Sequence, residues 1–135
     1  MSTIDEQVRR FHSLHLGDTL LKRIELRTAE AKCILEFSRG SVLASERASV
    51  EEPVAEFAPA LLVLNGVVSA SFGHRYELNS TVVDFGAVPN NDVMDFYFDL
   101  TGGYTQDGFI AKLVFQASGF LFGDSAQLEM SRALE

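Results

Sequence analysis

An α+β fold, with an N-terminal helix packed on a mostly antiparallel β-sheet or β-sandwich, is predicted by three features of this sequence. The opening residues carry apolar side chains at helical spacing, and most of the remainder alternates apolar with polar residues in runs of strand length. Clusters of Gly, Asn and Asp, suited to turns, separate those runs. With 135 residues, 47% apolar and 22% charged, the chain suits a single domain over 1–135 that builds its own core.

Residues 3 to 15 read as the helix. Thr3 and Glu6 fit a capping box, in which each residue's side chain satisfies the other's backbone amide. Ile4, Val8, Phe11 and His15 fall on one face with Leu14 beside them, so this face covers the sheet or an edge of the core. Gly17 is the expected C-cap, and Asp18 and Thr19 redirect the chain into the first strand.

From Leu20 the alternation is imperfect, with Ile24 and Leu26 expected inside and Arg23, Glu25 and Arg27 outside. A turn over Thr28 to Ala31 makes a hairpin with a strand whose inner face is Cys33, Leu35 and Phe37. Gly40 to Pro59 reads as an irregular excursion holding a short strand near Val42 to Ala44. Asn65-Gly66 predicts a tight hairpin between Ala60–Leu64 and Val67–Phe72. Tyr76 to Asn79 and Thr81 to Phe85 continue the sheet, and Gly86 to Asn91 is read as a break. Met94, Phe96, Phe98 and Leu100 then alternate with Val93, Asp95, Tyr97 and Asp99, which puts the first set inside. Phe109–Ala117 and a strand beginning at Phe120-Leu121 complete roughly seven strands, with no internal repeat.

Composition removes several classes of partner. The 19 acidic and 11 basic residues leave a formal charge of −8, which disfavours nucleic acid and anionic membrane surfaces. No apolar run approaches the ~18 residues of a membrane span, and cytoplasm is the expected location. Cys33 is the single cysteine, so no intrachain disulfide or multi-cysteine metal motif can form; its place beside Leu35 and Phe37 reads as a buried structural thiol. The chain has no phosphate-binding glycine loop, dinucleotide fingerprint, Gly-x-Ser-x-Gly elbow or His-Glu-x-x-His helix. No cofactor is implied.

Two constellations could carry chemistry. His12 and His15, three apart on the expected helix, and Asp18 just beyond it have the donor types of a zinc site. Asp84, Asp95, Tyr97 and Asp99 offer carboxylates and a phenol to a basic protein surface. His74 and Arg75 form a smaller loop pair that could meet an anion. The phenylalanines, without interleaved basic residues, read as core rather than as a base-stacking platform.

The segments Phe11-His-Ser-Leu-His-Leu-Gly-Asp18, Lys22-Arg-Ile24, Leu62-Val-Leu-Asn-Gly-Val67 with Phe72, and Tyr76-Glu-Leu-Asn79 resemble elements of small uncharacterised bacterial proteins with a helix leading into a β-rich body. Some proteins of that kind look like immunity or accessory proteins. The resemblance implies protein binding and transfers no catalytic residue. The leading expectation is a protein-interaction module, with an immunity-like inhibitor as one form of it. The alternative is a small-molecule-binding protein or metal-assisted hydrolase near His12, His15 and Asp18. Exposed strand edges also leave pairing between copies open.

Overall fold

The computed structural model describes residues 3–45, 51–72, 80–101 and 110–124. Within them α1 (Ile4–His12) precedes eleven strands. These are β1 (Leu14–His15), β2 (Leu20–Arg27), β3 (Lys32–Phe37), β4 (Gly40–Val42), β5 (Ala55–Phe57), β6 (Ala60–Asn65), β7 (Ser69–Phe72), β8 (Ser80–Asn90), β9 (Val93–Thr101), β10 (Ile110–Ala117) and β11 (Gly119–Gly123). All their pairings are antiparallel. The expected α+β architecture is present, with more strands than the sequence suggested, among them the short β1, β4 and β5. Among the described residues no helix is long and apolar enough to cross a membrane.

The capping box forms as expected: Thr3 Oγ1 accepts the Glu6 amide at 3.1 Å, and the Glu6 carboxylate accepts the Thr3 amide at 3.3 Å. The far end differs from expectation. Ser13 turns its hydroxyl onto the Arg10 carbonyl at 2.7 Å, and this local bond competes with another helical turn. Leu14 and His15 leave as β1. The left-handed residue is Asp18, with φ 63°, rather than Gly17, and its amide donates to Val82 O at 2.9 Å. A bond to β8 thus defines the turn.

Phe11 is fully buried and meets Phe96 and Phe120 edge-on, with ring centroids 5.0 and 5.2 Å away. Burying such a ring contributes about 1.5–3 kcal/mol, so this one residue anchors the helix. Arg10 adds a second tie: its guanidinium lies 4.5 Å from the Phe120 ring centroid and donates to the Phe120 carbonyl at 3.2 Å.

Eight strands run in the order β11-β6-β3-β2-β8-β9-β10-β7. β6 and β7 form one arm bent at Gly66, and β10 and β11 form another bent at Ser118. β6 pairs with β11 while β7 pairs with β10, so the two arms close the sheet on itself. At the joint the Ser118 amide donates to Asn65 O at 2.9 Å and the Val68 amide to Gln116 O at 2.8 Å. β1, β4 and β5 form a separate small sheet.

Three local expectations are corrected by this arrangement. A register shift between Leu21 and Arg23 changes the phase of β2, so Leu21 and Ile24 point inward while Leu26 is exposed. Asn65-Gly66 makes a bend, with Gly66 at φ 63°, because β6 finds partners in β3 and β11 instead of β7. Gly86 does not break β8, which continues to Asn90; the reversal occurs at Asn91-Asp92, with Asn91 at φ 57°. Tyr76–Asn79 and the His74-Arg75 pair lie outside the described residues.

Candidate functional site

The alternation in β9 is realised fully. Met94, Phe96, Phe98 and Leu100 are all buried to 0% exposure, leaving Val93, Asp95, Tyr97 and Asp99 on the outer face. Register then adds what linear sequence could not. Asp84 on β8 stands directly opposite Asp99, which stands opposite Lys112 on β10; Gly86, Tyr97 and Val114 form the next row, and Val88, Asp95 and Gln116 the one after.

Two carboxylates directly opposed across strands destabilise a sheet. Neither is neutralised within it: among the described residues no ion pair joins Lys112 to Asp84 or Asp99. The Lys112 ammonium instead sits 5.6 Å from the Tyr97 ring centroid. Asp99 Oδ1 is buried and accepts no hydrogen bond from the described residues. Asp84 Oδ1 accepts the Phe85 amide at 2.9 Å, while the Asp95 oxygens lie 3.4 and 3.5 Å from the Asn90 side-chain amide. Burial first, and then the charges of Asp84 and Asp99, raise the Tyr97 phenol above its ordinary range.

The Tyr97 ring lies over Gly86. A Cβ at position 86 would come within 2.6 Å of the phenol oxygen and 2.8 Å of the ring, so the missing side chain makes room for the aromatic. Val88, 51% exposed, adds an apolar element beside Asp95. The result is a tyrosine-centred face edged by three carboxylates. Sequence alone does not place Lys112, Gly86 and Val88 on this face, because their proximity depends on register.

His12 and His15 go to different places. His12 Nε2 accepts the Ala87 amide at 3.2 Å, on the margin of β8 that points away from β9. Along this margin the Phe85 amide is taken by Asp84, Ala87 by His12, and Pro89 has no amide to offer. The strand edge is thereby blocked at three successive outward positions. His15 pairs with Ser41 in the small sheet, and Asp18 serves the turn to β8. The sequence grouping depended on a helix reaching His15. Among the described residues, no three or more His, Cys, Asp or Glu side chains gather closely enough to hold a metal.

Cys33 is fully buried, and that burial pushes its thiol up to about 12. A thiol held protonated is a poor nucleophile.

No family model and no curated protein matches this chain. A solved structure of an uncharacterized protein from Neisseria gonorrhoeae is similar in fold, with TM-score 0.50 and 8% identity, covering 82% of this chain and 95% of that one. At that identity the likeness concerns fold alone.

Proposed function

We propose that this chain is a protein-interaction module that uses the outer face of β8, β9 and β10 to bind a basic protein surface and occlude it. The opposed Asp84 and Asp99 pair carries the reading. Folding gains nothing from that juxtaposition, whereas a partner's Lys or Arg would relieve the repulsion. Tyr97 between the acidic rows supplies a large, rigid contact of the kind enriched at binding hot spots. An immunity-like inhibitor would use this chemistry, and the cytoplasm is the proposed location.

A photoreactive residue replacing Val88 tests the face by identifying a cross-linked partner in lysate. That partner, once purified, is titrated against the parent and Asp84→Lys plus Asp99→Lys at low and high salt. The expected result is at least ~10-fold weaker binding for the variant and slower association at high salt. An unchanged dissociation constant, with the variant still folded, would overturn the assignment.

A further inference from the structure

The small sheet has two unlike faces. Leu14, Val42 and Phe57 pack toward the core, and Gly40 lies so close to it that an added Cβ would meet Phe122 at 2.7 Å and Leu16 at 3.0 Å. The opposite face carries one polar row, His15–Ser41–Glu56, because these residues are direct cross-strand partners. Arg39 lies two residues before Ser41. Together with Thr19 and Gly40 they line a cavity of about 160 Å³.

The side chains of His15, Arg39, Ser41 and Glu56 form no hydrogen bond or ion pair with the described residues. These four polar groups line one cavity without a partner among the described residues, Arg39 and Glu56 from exposed positions, so all four are open to a ligand. Thr19 has already given its hydroxyl proton to Leu16 O at 2.8 Å, so toward the cavity it can only accept.

We infer that this cavity binds a small zwitterion of the α-amino-acid type, with its carboxylate on Arg39 and Ser41 and its ammonium on Glu56. The charges decide the class. A simple anion would face the Glu56 carboxylate, and a simple cation the Arg39 guanidinium; a zwitterion engages both. Size agrees: at about 160 Å³ the cavity is smaller than the ~300–1,000 Å³ of pockets for drug-sized ligands, which suits an amino acid with a short side chain. His15 and Thr19 remain for a polar ligand side chain. This site lies on the three-stranded sheet, separate from the acidic face of β8–β10, and does not depend on it.

The test follows the His15 ring by NMR while L-serine, acetate or ethylammonium is added to the full chain, with the His12 ring as internal control. Serine should give a saturable shift at His15 in the millimolar range and none at His12, with acetate and ethylammonium at least ~10-fold weaker. Arg39→Met and Glu56→Gln, both at exposed positions, should each weaken serine binding by at least ~10-fold. No saturable serine shift, equal binding of acetate or ethylammonium, or full binding by either variant would overturn the proposal.

Discussion

Met94, Phe96, Phe98 and Leu100 on the inner face of β9 meet only core, whereas Val93, Asp95, Tyr97 and Asp99 on its outer face remain partly exposed and include an acid set against another acid. Both sets come from alternate residues of one strand. The inner set needs no explanation beyond burial and packing. The outer set breaks a rule of sheet stability, which separates the residues chosen by folding from those open to another demand.

The largest effect expected from this contrast belongs to Phe98. Its ring lies 5.9 Å from that of Phe37 and 6.3 Å from those of Phe11 and Phe115. Phe98→Ala should lower unfolding stability by about 3–5 kcal/mol in urea titrations. Tyr97→Ala, one residue along, removes a cross-strand contact and should cost no more than about 1 kcal/mol. Equal losses at the two positions would mean that the outer face is a second core.

Cys33 extends the inner-face argument to β3. In the unfolded chain its thiol ionises near the ordinary value of about 8.5, while in the folded chain burial holds it at about 12. Between those values the folded state keeps a proton that the unfolded state has lost. The associated stability is therefore complete below about pH 8.5 and declines as pH rises toward 12, by at most about 1.4 kcal/mol per pH unit. Cys33→Ala lacks this contribution, so the stability difference between parent and variant should shrink from pH 8 to about pH 10.5. Parallel curves would show that the thiol is not held protonated by the fold.

The same division governs what was legible in the sequence. Periodicity reports which side of an element is buried, so it located the Phe11 side of α1 and the inner faces of β3 and β9. It does not report partners. Asn65-Gly66 has the chemistry of a hairpin turn, yet β6 and β7 lie beside other strands; Gly86 looks like a breaker until Tyr97 is placed over it from β9. The candidate residues followed the same pattern. Asp95, Tyr97 and Asp99 were visible as one stripe, but the opposition of Asp84 to Asp99 required the register of β8. His15, Ser41 and Glu56 are distant in sequence and meet only because three short strands align.

The smallest effect expected lies on the outer face itself, at the point where the acids and the phenol meet. Asn retains an oxygen that can accept the Phe85 amide at position 84, so Asp84→Asn plus Asp99→Asn removes charge with little change of shape. Loss of the opposed charges should raise stability by about 0.2–1 kcal/mol. The phenol gives an independent reading, since burial is the first cause of its raised titration and the two carboxylates are the second and third. In the double variant the carbon NMR titration of Tyr97 should move down toward the ordinary value of about 10 without reaching it, because burial persists. A Tyr97→Phe spectrum assigns the signal. An unmoved midpoint would show that the phenol does not sense the acids, and the outer face would then lack the electrostatic coupling on which a tyrosine-centred contact with a basic partner relies.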